Sequence, residues 1–279
     1  MLQFVLGTAG SGKTWYVRNL IAGKVAAGEK GILLLVPEQN NYESERAMLR
    51  LLGSASTDIV EVTSFTLLAR NIAAICGTDA LRVADDGVKL LMMGRAIRSV
   101  SPQLQVFGKV GATRELCEKM LEFYTEIKRS SVTSEDLSAV TDKLNGAVGN
   151  KLGDIAMIFS TYEGMLANRF SDPLDDLVKL GENLNSVNYF SDRTVVIDAF
   201  KGFTEQQYRV IYHIIRQAKE VYVTVCADSL ADTTDGTGVF SNNKATAAHL
   251  LKMAHSLRVE VNAPITVDSD RRFNNTVLR

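Results

Sequence analysis

Absences narrow the reading first. The chain of 279 residues has a formal net charge of −1, so no overall basic field marks it for a polyanionic partner. Any contact with nucleic acid must then rest on a local patch. Its three cysteines, Cys76, Cys117 and Cys226, are scattered and make no CxxC pair. That spacing argues against a metal or cluster role and reads as reduced thiols packed like small apolar groups. The apolar runs, such as Ile32 to Val36 and Val195 to Ile197, fall far short of the roughly 20 residues that span a bilayer. Six residues precede Gly7, too few to hold a signal peptide ahead of the motif that begins there. A soluble, cytoplasmic chain without membrane contact is expected.

What is present suffices for a core. With 46% hydrophobic residues the chain can build one large or two modest domains. Short β-branched or Leu-rich runs occur at Leu2–Leu6, Ile32–Val36, Ile59–Val62, Val195–Ile197 and Val221–Val225. They are nearly continuous rather than alternating, as strands covered on both faces of a parallel sheet are. Helical patterns fill the gaps. Val17, Leu20, Ile21 and Val25 share one face before Gly28, and Phe65–Cys76 runs to Gly77. Thr204 and Gln207 form a capping-box pattern ahead of Tyr208, Ile211, Ile214 and Ile215. This rhythm predicts an α/β fold on a parallel sheet.

The rhythm breaks from about Ala84 to Phe170. There Leu116, Met120, Phe123 and Ile127, then Leu152, Ile155, Ile158, Tyr162 and Leu166, recur at helical spacing with no clear strand. The segment reads as an all-helical subdomain inserted between the third and fourth strands, the alternative being helices packed on the main core. The expected layout is 1–84 and 171–279 for the α/β core and 85–170 for the insertion. Ala231–Lys244 is polar and Gly-, Asn- and Thr-rich, a predicted loop. Ser269–Arg279 brings no closing element, so a truncated chain is expected.

Gly7-Thr8-Ala9-Gly10-Ser11-Gly12-Lys13-Thr14 fits GxxxxGK[ST], the P-loop. Glycines let successive N–H groups turn inward on phosphate oxygens. Lys13 supplies a point charge for the β- and γ-phosphates, and the Thr14 hydroxyl is a ligand for Mg²⁺. An apolar strand leads in and an amphipathic helix leads out, so the motif predicts ATP as the ligand. Hydrolysis asks for a second acidic site, and Asp198, at the tip of Val195–Ile197, is the candidate beside Mg²⁺; a capping or turn aspartate is the bland alternative. Ala199 follows it, and alanine cannot orient a water. Glu205 is the nearest replacement base, although a glutamate in a first helical turn is commonly a surface residue favoured by the helix dipole.

The order of motifs resembles a known family. Gly7–Thr14, Leu35-Val36-Pro37-Glu38-Gln39 and Val62-Thr63-Ser64-Phe65-Thr66 are similar to successive motifs of UvrD-like superfamily 1 helicases, which carry a RecA-like core. Asp172-Pro173-Leu174-Asp175-Asp176-Leu177 resembles the segment returning from their helical insertion. Val-Pro-Glu-Gln combined with Ile197-Asp198-Ala199-Phe200 and Phe203-Thr204 resembles in particular the AddB-type subunits of bacterial AddAB helicase–nucleases. The resemblance implies ATP and Mg²⁺ on the P-loop, an AddA-type partner subunit in a heterodimer, and DNA ends processed for recombinational repair. It implies a motor without hydrolysis, because active motors carry Asp-Glu where Asp198-Ala199 stands. Relatives commonly have Gly at the Ala199 position. A nuclease domain with an iron–sulfur cluster is implied only beyond this chain. Phe65 would face single-stranded DNA or, equally, sit in the core.

Two rivals remain open here. One is an active superfamily 1 DNA helicase or ATPase with an unusual base, Glu205. The other is a small-molecule kinase with a helical lid, for which Arg95 and Arg98 would be the acceptor-binding pair. Lys128-Arg129 and Arg271-Arg272 are the short basic pairs available to DNA.

Overall fold

The computed structural model describes residues 1–53, 58–78, 82–130, 132–141, 144, 146–167, 170–171, 176–231 and 236–268. The Arg271-Arg272 pair, Asp172–Asp175 and the Ser269–Arg279 tail lie outside the described residues. Contacts divide the chain into two compact units, Met1–Ala73 with Leu180–Phe203 and Gln207–Arg279, and Ala74–Lys179 with Thr204–Gln206.

The first unit is an α/β layer structure on a six-stranded parallel sheet. Its strands are β1 (Leu2–Gly7), β2 (Ile32–Leu35), β3 (Val60–Thr63), β6 (Thr194–Ile197), β7 (Glu220–Cys226) and β8 (Ile265–Thr266), in the order β3-β2-β6-β7-β1-β8. The registers are parallel throughout, with Leu6 opposite Val225, Leu34 opposite Val196 and Ile197 opposite Val223. The central strands β2 and β6 are buried at every position, as their unbroken apolar runs require. Edge strand β3 carries Glu61, which accepts hydrogen bonds from Tyr189 Oη (2.9 Å) and Arg193 Nη1 (2.7 Å). Strand β8 went unseen in the sequence because two paired residues are too short to show periodicity. It still covers β1, through Val5 opposite Ile265 and the Val267 N–H on Leu6 O (2.8 Å).

Helix α1 (Lys13–Ala26) lays Val17 and Ile21 on the sheet, and α2 (Asn41–Leu52) adds Met48. With Val5, Ile32, Leu34, Val60 and Val196 they form one dry core. Each such side chain, fully buried, stabilises the unit by about 1.5–3 kcal/mol before conformational entropy is counted. Helix α9 (Glu205–Gln217) buries Val210, Ile211, Ile214 and Ile215. At the amino-terminal edge of the sheet, Lys24 bridges Glu29 (3.0 Å) and Glu220 (2.6 Å), and Glu29 also accepts from the Thr194 hydroxyl. Helix α10 (Ser241–Ser256) begins inside the expected 231–244 loop. Ser241-Asn242-Asn243 reads as turn chemistry locally, but the Ala- and Leu-rich stretch behind it carries the helix back through those residues.

The second unit is helical. Its main helices are α4 (Asp86–Val100), α5 (Arg114–Arg129), α6 (Ser134–Thr141) and α7 (Ala147–Ala167), around Met93, Ile97, Tyr124, Ile158, Phe159 and Tyr162. Helices α3 (Phe65–Cys76) and α8 (Asp176–Ser186) lead into and out of it. A two-stranded parallel pair, β4 (Arg82–Val83) with β5 (Phe170–Ser171), joins its ends. The Asp154 carboxylate, buried on α7, accepts from the Gln105, Val106 and Phe107 N–H groups at 2.9, 2.7 and 2.9 Å. It fixes the loop after α4. Arg95 and Arg98 are both exposed, as a solvated helix face would be.

Candidate functional site

In an all-parallel sheet every strand delivers its carboxyl end to the same edge, where ligands of open α/β sheets bind. Here β1 ends at Gly7, β6 at Ile197 and β7 at Cys226, with β7 between the other two. The chain that leaves β1 at this edge is the P-loop.

Gly10 and Gly12 hold φ at 89° and 95°, left-handed values that L side chains resist. Gly12 caps α1 without a side-chain hydrogen bond, and the helix's own ladder begins with the Tyr16 N–H on Gly12 O (2.8 Å). No acidic residue sits in the first turn of α1, so the positive end of its dipole has no local counter-charge there. At Gly7 a Cβ would come within 2.2 Å of Ser11 Oγ and 2.6 Å of Val267 O. The loop curls too tightly for any residue but glycine. Thr8 and Ala9 complete the turn, closed by the Ser11 N–H on Thr8 O (3.3 Å).

Lys13 folds back over this curl. Its ammonium donates to Gly7 O and Thr8 O, each at 2.8 Å. Burial pulls its pKa down from the usual lysine value, and the Cys226 and Asp198 side chains oppose that by favouring the charged form. Asp198 is thus one of the two side chains whose negative charge favours the charged form of Lys13. It is 4% exposed; its N–H donates to Leu35 O (3.0 Å) and its Oδ1 accepts from the Thr224 hydroxyl (2.7 Å). Thr224 Oγ1 in turn accepts from the Ala199 N–H (3.2 Å). One β7 hydroxyl thus holds the whole Asp198-Ala199 tip. Sequence reading missed Thr224, whose signal was a lone hydroxyl within Val221–Val225.

Ala199 takes φ 65°. A left-handed turn is one that glycine adopts without strain, and the alanine methyl offers no acceptor there. Glu205 is exposed in the first turn of α9. No hydrogen bond or ion pair among the described residues joins it to Lys13, Thr14 or Asp198. Phe65 is 5% exposed, edge-on to Phe200 (5.5 Å between ring centroids) and Phe203 (6.4 Å), so of its two readings the core one describes its position. Glu38 accepts from the Thr66 N–H (3.2 Å), tying the Val-Pro-Glu-Gln segment to the start of α3. Of the short basic pair on α5, Lys128 lies 3.7 Å from Glu163 and over the Tyr124 ring.

These residues fit a magnesium nucleotide. A left-handed glycine curl at a helix amino terminus presents N–H groups to an anion, and Lys13 adds a mobile cation. Mg²⁺ takes few protein ligands, and one carboxylate with one hydroxyl, Asp198 and Thr14, is a usual complement beside phosphate oxygens.

Comparison with known proteins gives the family. A family model described as "ADDB, N-terminal" matches residues 4–279. The chain is 29% identical over 275 residues to the B-type subunit of the ATP-dependent helicase/deoxyribonuclease of Acetivibrio thermocellus, covering 98% of this chain and 24% of that protein. Proteins of the same name from Ruminiclostridium cellulolyticum and Caldanaerobacter subterraneus are each 30% identical, over 273 and 278 residues, again with 24% of their length covered. The chain thus spans about a quarter of the curated relatives it matches. By a match that runs over almost its whole length, the chain belongs to the AddB amino-terminal family.

Proposed function

We propose that this region holds ATP·Mg²⁺ at the carboxyl edge of its sheet, as the amino-terminal part of an AddB-type helicase/nuclease subunit, and does so without completing hydrolysis. Gly7, Thr8, Ala9, Gly10, Ser11, Gly12, Lys13 and Thr14 would hold the phosphates, with Thr14 and Asp198 beside the metal. The observation that carries this reading is the left-handed glycine curl held under the Lys13 ammonium at the strand edge where buried Asp198 is followed by Ala199, whose methyl offers no base. Bound Mg²⁺ would supply charge neutralisation at the β- and γ-phosphates. The chain's own part is to orient: the glycine curl aims N–H groups, Lys13 exchanges Gly7 O and Thr8 O for phosphate oxygens, and Thr224 keeps the Asp198 carboxylate fixed.

In the complete protein this region would work beside an AddA-type subunit on double-strand DNA ends in the cytoplasm. Its relatives are named as subunits of an ATP-dependent helicase/deoxyribonuclease, which supports that setting. Nuclease chemistry and an iron–sulfur cluster would belong to parts of the subunit other than these residues.

Equilibrium binding of radiolabelled ATP with Mg²⁺ tests the site. Lys13→Ala should weaken binding at least tenfold, and unchanged affinity would remove the assignment. Phosphate release should stay at background with or without DNA. A DNA-stimulated rate that Glu205→Gln abolishes would replace this reading with that of an active motor.

A further inference from the structure

The second unit carries an open groove of about 1280 Å³. It is lined by α5 from Arg114 to Ser130, by the first turn of α4, and by Tyr162, Thr204 and Glu205, all of them residues of that unit. None of these is assigned to the nucleotide, and Glu205 here finds a place that the nucleotide site does not give it. Leu90 and Leu121, partly buried at the margin of the unit's core, form an apolar face together with Tyr124 and Tyr162. The volume exceeds the roughly 300–1,000 Å³ of small-molecule pockets, so the groove is sized for a larger guest.

Charge says what that guest is. The lining holds five carboxylates, Asp86, Glu118, Glu122, Glu126 and Glu205, against three cations, Lys89, Arg114 and Arg129. Arg114 is taken up by Glu118 at 2.7 Å. Glu122 and Glu126 are exposed, and no hydrogen bond or ion pair among the described residues engages their side chains or that of Glu205. Their i, i+4 spacing sets like charges side by side on α5, which destabilises a helix unless a cation lies between them. The carboxylates do not converge on one point: among the described residues no group of three or more His, Cys, Asp or Glu is placed to hold a metal ion. Glu118, Glu122 and Glu126 are instead strung over two turns of α5, about 12 Å at the helical rise. An extended polycation meets such a row, whereas a phosphate backbone is repelled by it.

We infer that this groove is a docking site for a basic amphipathic helix of another protein, its apolar stripe on Leu90 and Leu121 and its lysines or arginines on Glu122, Glu126 and Glu205. A groove bordered by helices takes a further helix through anchors at i, i+3, i+4 and i+7, and a helix also repeats its charges at the spacing of the α5 row. Apolar contact supplies the affinity and the carboxylates choose the sign of the partner. The inference is independent of the nucleotide site, so the failure of either leaves the other standing.

Fluorescence anisotropy of a labelled synthetic peptide tests this in the 279-residue chain. The probe is a helix with leucines on one stripe and lysines beside it. Its controls are the same residues in scrambled order and the same helix with glutamates for lysines. The basic amphipathic peptide should bind about tenfold or more tightly than either control, and Glu122→Gln with Glu126→Gln should weaken it about tenfold. Leu121→Ser should weaken it severalfold. Glu122→Lys with Glu126→Lys should lose the basic peptide and gain the acidic one, an exchange that a misfolded variant could not show. Equal binding of the scrambled peptide would reduce the effect to diffuse charge attraction and overturn the inference. Displacement of the probe by an equal concentration of spermine would overturn it in favour of a polyamine site. Sedimentation of the unaltered chain as a dimer that the lysine variant dissociates would overturn it in favour of a second copy.

Discussion

Ala199 holds a backbone conformation that its own side chain disfavours. At φ 65° the methyl group crowds the carbonyl, a strain of roughly 1–2 kcal/mol per L residue. The Asp198 and Thr224 hydrogen bonds on either side keep it there. Ala199→Gly should relieve the strain, offset in part by the added freedom of glycine in the unfolded chain, for a net gain of about 0.5–1 kcal/mol. A higher denaturant midpoint with an unchanged slope would show it. A lower midpoint would mean that the methyl makes packing contacts that outweigh the strain. ATP affinity should stay as it is, because the Ala199 N–H survives the change.

At the scale of elements, two side chains decide how firmly a helix is held. Asp154 on α7 takes three N–H groups of the loop after α4, and its removal unties that loop from the helix. Asp154→Ala should cost about 1.5–3 kcal/mol, and a loss below about 1 kcal/mol by denaturant titration would assign the loop's order to something else. His213 on α9 is 6% exposed, and burial first, then the Arg216 charge, pulls its pKa below the usual 6.5. The unfolded chain then binds the proton more readily than the folded one. His213 therefore contributes full stability above pH 6.5, and that contribution is lost as pH falls through its lower folded pKa. Unfolding midpoints followed from pH 7.5 to 5 should decline, and His213→Gln should flatten that part of the decline. Unaltered slope in the variant would place the titration elsewhere.

Elements also mark where the sequence was readable. The longer strands were legible as largely apolar, β-branched or Leu-rich runs, β3 keeping that character around Glu61 although it is an edge strand, and Asp198 stands at the end of one of them. The P-loop was legible because its spacing is local. Thr224 and Glu38 were not: their roles depend on which strand lies beside which, and the order β3-β2-β6-β7-β1-β8 is written in no short segment. The pair β4–β5 escaped notice for the same reason as β8, since a two-residue strand has no period. Phe65 was ambiguous because an aromatic at a helix start reads the same whether it meets DNA or, as here, Phe200 and Phe203.

On the scale of the whole molecule, each unit has its own core, one around Val5, Ile32 and Val196, the other around Met93, Phe159 and Tyr162. Units with separate cores tend to unfold separately, so a single two-state curve is not expected. Asp154→Ala should shift one thermal transition and Ala199→Gly the other. If either substitution moved both transitions together, the two cores would be behaving as one cooperative body.

The sheet order has a consequence for how the protein is made. Leu2 pairs with Val221 on one side and Val261 on the other, and Val5 has its second neighbour at Ile265. During synthesis at about 5–20 residues per second, the first strand leaves the ribosome on the order of 10–40 s before the strand that flanks it. Through that interval an apolar segment ending in the glycine curl has both edges open. Slower translation across residues 200–265 should therefore raise the aggregated fraction of nascent chains, which pelleting after synthesis in a cell-free system would measure.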